Sequence, residues 1–436
     1  MTYDIYSPPR ANAPINARVL IPGSKSLTNR ELVLSALADA PSEIVAPLYS
    51  RDSELMMAAL GGMGVEFDTK KDSLIVTPPK EFQGTDIDCG LAGTVMRFLP
   101  PLAALGNGAF YFDGDPAART RPMKPVLDAL NALSVKIDGG PFLPFTVHGA
   151  GEISGDEVEI DASGSSQFVS ALLLSGARFK NGLRLIAKGD KLPSKPHIDM
   201  TLESLRVRGV SAAEVSAGVW EVKPGPIAGI RTVIEPDLSN AAPFLAATVL
   251  LGGTLRIPHW PKVTTQVGAM MLEILEHFGG SYTLSDEELI FAAPGGEFSG
   301  IDIDLSTGGE LAPTVITLAA LASTPSRITG IGHIRGHETD RLKAMTTEIN
   351  ALGGNSQELE DGIEVVSSAL TATGRPWHSY DDHRIATSGA LMALRVPGLS
   401  IENIGTTAKT LPNFTELWAQ LLYEPLSYEN SHGDAN

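Results

Sequence analysis

The sequence predicts an α/β protein of two similar halves, each built from three repeats of one strand–loop–helix unit. Two observations carry this. Six times a short β-like run ends in a polar loop that opens onto an apolar helical run. The loop anchors Pro22, Asp88, Asp161, Glu235, Asp304 and Asp381 are spaced 66, 73, 74, 69 and 77 residues apart. The last three anchors also lie 213, 216 and 220 residues after the first three, a near-constant offset that pairs the units across two halves. Such units are too long and too mixed for a solenoid. The boundary is expected near Gly225 to Ile234. One lobe would span 21–234, the other 1–20 with 235–426, and residues 427–436 would form a frayed polar tail. The first strand precedes Pro22, so the chain is expected to cross between the lobes near residues 20 and 235, a natural hinge.

Each loop ends at a helix start, where unpaired backbone N–H groups and a partial positive charge attract anions. The first, Pro22-Gly-Ser-Lys-Ser-Leu-Thr-Asn-Arg, offers Lys25, Ser26 and Arg30 to a ligand; a plain cap by Ser24 or Ser26 with solvated cations is the alternative. It lacks the phosphate-loop pattern of nucleotide-binding proteins. The second, Gly90-Leu-Ala-Gly-Thr-Val-Met-Arg, gives close backbone approach at Gly93 and a cation at Arg97, or merely a tight turn. Cys89 beside it reads as a packed thiol rather than a reactive one. Arg119-Thr-Arg-Pro places Arg121 in a loop, because the following proline disfavours helix there. At the third start Ser165, Ser166 and Gln167 form either a neutral phosphate cradle or a cap, and Ser194 follows in a Pro-framed segment expected to be non-helical. In the second half Glu310 sits at a helix start, where the dipole favours a carboxylate whether or not it acts chemically. His337, Glu338 and Arg341 have the spacing to share one helical face, as a site or as a surface ion pair. Arg384 falls at the sixth loop, and Lys409 just before the final helix.

Composition bounds the function. With 43% hydrophobic and 19% charged residues over 436 positions, the chain reads as an ordinary globular protein large enough for two cores. No apolar run is long enough for a membrane span, and the N-terminal residues show no signal or transit pattern. One cysteine cannot form an internal disulfide, which fits a reducing, cytoplasmic setting. His333 and His337 lie four apart but lack the order of a zinc motif. A net charge of −18 argues against nucleic-acid and membrane partners. It does not exclude an anionic small molecule, because the cations that fall at the repeat loops can make a cleft positive within an acidic protein.

Taken in order over residues 10 to 425, the motifs Pro-Gly-Ser-Lys-Ser-x-x-x-Arg, Ala-Gly-Thr-x-x-Arg, Arg-Pro-Met, Ser-Ser-Gln, Ser-Lys-Pro-x-Ile-Asp, Glu-Thr-Asp-Arg, Asp-His-Arg and Lys-Thr-x-Pro resemble the EPSP synthases, of the enolpyruvyl transferase family. The resemblance implies two domains of three βαβαββ units each, an inside-out α/β barrel arrangement. They would close on shikimate 3-phosphate and phosphoenolpyruvate, with no metal or organic cofactor and as a monomer. It implies that Lys25 touches both substrates and that Ser26 and Arg30 hold the shikimate carboxylate. Ser165, Ser166 and Ser194 would hold the 3-phosphate, with Gln167 between the substrates. Gly93, Arg121, Arg341, Arg384 and Lys409 would surround phosphoenolpyruvate, and Gly93 would leave room for glyphosate. On this reading Glu310 is expected to take the hydroxyl proton, and either Lys25 or Glu338 to handle the C3 proton. Three positions depart from the commonest pattern: Glu310 replaces Asp, His333 replaces Asn and His337 replaces Lys. All three would still face shikimate 3-phosphate, His337 as a weaker, pH-dependent cation. Two other readings compete: enolpyruvyl transfer to a UDP-sugar, and a non-catalytic two-lobed binder of phosphorylated metabolites. The UDP-sugar family commonly carries a cysteine on the loop that here reads Arg119-Thr-Arg. The carboxylates Glu310 and Glu338 are hard to motivate in a pure anion binder.

Overall fold

Helices that are apolar on every side must be buried on every side, and four of the six helices that follow the repeat loops satisfy this. Gly93–Ala104 is buried throughout, as is Leu238–Leu251 apart from its last residue; Ser166–Gly176 and Ala312–Leu321 are nearly so. They form the centres of two separate hydrophobic cores. One gathers residues between Leu32 and Ile234; the other joins Ile15 to Ile21 with residues from Leu238 to Leu421. Sheets lie outside these helices. The structure, a computed structural model, describes residues 4–11, 13–189 and 194–423. The tail expected to fray lies outside the described residues, as do Leu192 and Pro193.

Five four-stranded sheets share one arrangement, a parallel pair with an antiparallel hairpin added to one of its strands, and in three of them a helix joins the parallel pair. In the second unit, for example, Asp86–Asp88 runs parallel to Asn107–Asp113, which pairs antiparallel with Phe145–Ala150, and that strand pairs with Lys136–Gly139. The sixth unit departs from the expected repeat. Its sheet, among the described residues, is only the pair Ile5–Tyr6 and Ile401–Glu402. The chain beyond it turns through Ile404–Lys409 into the helix Phe414–Tyr423, which packs on the strand Ile15–Arg18.

The two lobes exchange their first strands. Ile15–Arg18 pairs in parallel with Gly253–Pro258 of the second lobe, yet feeds the helix Lys25–Ala36 of the first. Arg231–Val233 pairs with Ser42–Val45 of the first lobe, yet feeds Leu238–Leu251 of the second. The crossing strands bond to each other, Ser24 N donating to Glu235 O at 2.8 Å and Asp237 N to Pro22 O at 2.9 Å. The close approach explains Gly23, where a Cβ would lie 2.4 Å from the Ala46 carbonyl.

Candidate active site

All six helix starts open on one cleft between the lobes, of about 1160 Å³ including its open mouth. Ser24, Lys25 and Ser26 come from the first; Thr94 and Arg97 from the second; Ser165, Ser166 and Gln167 from the third. Asp237, Ser239 and Asn240 come from the fourth, Glu310 from the fifth, and His383 and Arg384 from the sixth. Arg121, Ser194, His197, His333, His337, Glu338 and Arg341 also line the wall. Five Lys or Arg side chains face three carboxylates there, so the cleft is cationic inside a chain of net charge −18.

Two of these cations carry unfilled capacity. Arg97 donates to Gln167 Oε1 at 3.1 Å, and Arg121 to the Leu91 carbonyl at 3.0 Å, while the Nε of each is buried without a partner. Burial, then the charge of Arg121, pushes Arg97 well down from its ordinary range. A fully buried and a partly buried guanidinium with donors to spare can hold an anion. Gly93 bounds it: a Cβ there would meet Arg97 Nη1 at 2.7 Å, Arg121 Nη2 at 3.0 Å and Gln167 Oε1 at 3.1 Å.

The other charges are paired. Lys25 Nζ lies 3.3 Å from Asp52 Oδ2 on the neighbouring helix. Arg341 donates to Asp382 at 2.8 Å and to Glu338 at 2.8 Å, and Lys409 also donates to Glu338. Burial raises the Glu338 carboxyl, but Lys409 and Arg341 outweigh it and hold the group ionised, well below the usual carboxylate range. Glu310 is likewise raised by burial and lowered further by His197, Arg384 and Ser239. Its Oε1 accepts from Ser239 and its Oε2 lies 3.1 Å from His197 Nε2, with Arg384 Nη2 at 3.7 Å. Asp237 caps its helix, accepting from Asn240 N at 3.0 Å, and burial raises its carboxyl despite Arg384 nearby.

Several expectations need correction. His337, Glu338 and Arg341 do not share a helical face, because Asp340 caps a helix that begins only at Arg341. They meet because the preceding 3₁₀ turn folds back on that start: Arg341 Nη1 lies 2.9 Å from His337 Nδ1. Arginine can only donate, so Nδ1 accepts and His337 is a neutral imidazole with Nε2–H as its donor. Burial and the Arg341 charge push it well below the ordinary histidine range. It therefore supplies a donor, not the cation expected from the sequence. The segment after Ser194 is helical, since Lys195–Val207 tolerates Pro196 in its first turn; Ser194 itself has left-handed backbone, φ 55 and ψ 46. Arg30, Gly93 and Lys409 lie behind the cleft wall. Arg30 is 1% exposed and gives its donors to Thr201 Oγ1 at 2.8 Å and to the carbonyls of Ser26 and His197, both at 2.9 Å. Cys89 is fully buried, and burial raises its thiol, as a packed residue requires.

A family model for EPSP synthase, 3-phosphoshikimate 1-carboxyvinyltransferase, matches residues 9–418. The chain belongs to the EPSP synthase family. A curated 3-phosphoshikimate 1-carboxyvinyltransferase of Kocuria rhizophila is 52% identical over 430 residues, 95% of this chain and 96% of that protein. An EPSP synthase structure from Acinetobacter baumannii shares the fold at TM-score 0.78 and 20% identity, covering 96% of this chain and 97% of that one. The enolpyruvyl transferase NikO from Streptomyces tendae follows at TM-score 0.75 and 17% identity, with 94% and 96% covered. Sequence reasoning missed several cleft residues of this EPSP synthase family member: Thr94, His197, Asp237, Ser239, Asn240 and His383. Most fall within a turn of a repeat loop, so extending the loop logic to every polar residue of the first turn would have found them.

Proposed function

We propose that this chain transfers the enolpyruvyl group of phosphoenolpyruvate to the 5-hydroxyl of shikimate 3-phosphate and releases phosphate. Family membership supports the reaction. The observation that carries the site is the meeting of the under-bonded pair Arg97 and Arg121 with the buried carboxylate Glu310 in one cleft. In this reading Arg121, Gln167, Arg341 and Arg384, with Gly93 and Lys409 behind them, surround phosphoenolpyruvate. Ser165, Ser166, Ser194, His333 and His337 donate to the 3-phosphate. Ser26 meets the shikimate carboxylate, with the charge of Arg30 directly behind it.

Glu310 takes the 5-hydroxyl proton as that oxygen bonds to C2 of phosphoenolpyruvate. Lys25 gives a proton to C3. We assign Lys25 because Glu338, ionised between Lys409 and Arg341, has none to give. The resulting tetrahedral adduct loses phosphate, which takes up the proton held by Glu310, as its new methyl group returns a proton to the Lys25 amine. The arginines stabilise charge on the departing phosphate, and the acid–base groups contribute about 10²- to 10⁴-fold. The steps need no group beyond these side chains. We further place the reaction in the cytoplasm, in a monomer sensitive to glyphosate. Phosphate release from phosphoenolpyruvate, with and without shikimate 3-phosphate, tests the reading. Release that requires both is expected. Release with a UDP-sugar instead, or binding of both ligands without release, would overturn it.

A further inference from the structure

We propose that His197 is a positioning residue for Glu310, carried across the cleft by closure of the lobes; this rests on the activity proposed above. Among the described residues, the His197–Glu310 contact is the one hydrogen bond between side chains of opposite lobes. The other bonds named between the lobes involve the crossing strands and Lys25 N with Asp237. Glu310 thus has polar partners from three helices: hydrogen bonds to Ser239 and His197 and an ion pair with Arg384. Ser239 and Arg384 belong to its own lobe and stay with it whatever the lobes do. His197 belongs to the helix Lys195–Val207 of the other lobe and reaches Glu310 only when the two faces meet.

The imidazole is aimed by its own backbone. The His197 carbonyl accepts from Arg30 Nη2 at 2.9 Å, Thr201 Oγ1 at 3.0 Å and Ser170 Oγ at 3.4 Å, which pins the first turn of that helix. Arg30, sealed behind the wall, therefore acts on the cleft through His197 and through the Ser26 carbonyl. An ionised carboxylate can only accept, so Nε2–H of His197 donates to Oε2 at 3.1 Å. With Oε1 tied to Ser239, this bond fixes the rotation of the carboxylate and hence the direction of its remaining lone pairs. The base is assembled only in the closed protein, where phosphoenolpyruvate is shielded from water.

Steady-state phosphate release by the full chain tests this. Misplacing a reacting group costs about 10²-fold, so His197→Ala should lower kcat about 10- to 100-fold and change either KM less than about threefold. His197→Gln, whose amide N–H can occupy the Nε2 position, should recover to within about fivefold of the parent, and His197→Asn, too short, should not. In a Glu310→Gln background His197→Ala should add no further loss, because coupled residues are non-additive. A raised KM for shikimate 3-phosphate at unchanged kcat would make His197 a substrate contact and overturn the proposal. So would an equal loss in both backgrounds, or equal activity of the Gln and Asn variants. If His197→Ala fails to fold, the Gln and Asn pair decides. A parent enzyme without phosphate release would instead overturn the activity.

Discussion

At the residue scale the site works by leaving some groups short of partners and over-supplying others. Arg97 and Arg121 keep buried Nε donors unpaired, a state that costs free energy. Gly93, behind them, leaves both guanidiniums the room that a Cβ would take. Gly93→Ala should raise the KM for phosphoenolpyruvate about tenfold, the effect of losing about 1.4 kcal/mol of binding, with little change in the KM for shikimate 3-phosphate; initial-rate kinetics checks this. Glu310→Gln keeps the shape and removes the base, so kcat should fall about 10²- to 10⁴-fold while the melting temperature holds. A Gln variant with normal turnover would sink the assignment of Glu310.

At the element scale the helix starts are held by charges that the cleft does not use. Glu31, on the helix that begins with Lys25, accepts from Arg208 at 2.7 and 3.1 Å, and Arg208 also reaches Ser35, Ser42 and the Ala228 carbonyl. Neither partner is exposed, and removing one leaves an uncompensated buried charge. Glu31→Ala should cost about 3–5 kcal/mol in urea unfolding, well beyond a surface substitution. Asp382 plays the same part in the other lobe, capping Arg384 N at 2.9 Å and gripping Arg341 with both oxygens. Helix starts were legible in the sequence because capping chemistry is local. The register of the 3₁₀ turn before Arg341 was not, since Asp340 and Arg341 could as well have continued one helix from His337.

At the scale of the whole molecule, two lobes joined among the described residues by two crossing strands, the Lys25 N–Asp237 bond and one bond between side chains across the cleft should respond to ligands and to pH. Ligands that bind only the folded, closed form raise stability by mass action, so saturating both substrate sites should raise the melting temperature; about 2.7 kcal/mol is expected at 100 times Kd. Three cleft histidines set the acid response. Burial first, and neighbouring arginines, push His333, His337 and His383 below their ordinary value near 6.5. His383 is therefore neutral, and its 3.9 Å approach to Asp382 is not an ion pair. Below about pH 6.5 the unfolded chain takes up protons that the folded chain resists. Stability should thus fall as pH falls from 6.5, by up to about 1.4 kcal/mol per pH unit for each histidine. Melting curves from pH 7.5 to 5.5 would show it, and His383→Asn should flatten the slope.

The sequence by itself determined the six loop-to-helix starts, the expectation of a chain crossing near residues 20 and 235, and the chemistry of the helix starts. These depend on periodicity, capping and charge within a few residues, and a resemblance carried by eight ordered motifs named the family. Only the tertiary structure decided which of those charges face the cleft. Arg30 and Lys25 lie five residues apart on one helix, yet one is sealed behind the wall and the other lines it. His337 looks like a cation in the sequence, but the Arg341 N–H that reaches its ring makes it a neutral donor. Arg30 is sealed by partners 167 and 171 residues away and Glu310 meets His197 across 113, while His337 meets an arginine only four residues on, through a 3₁₀ turn whose register no local pattern records.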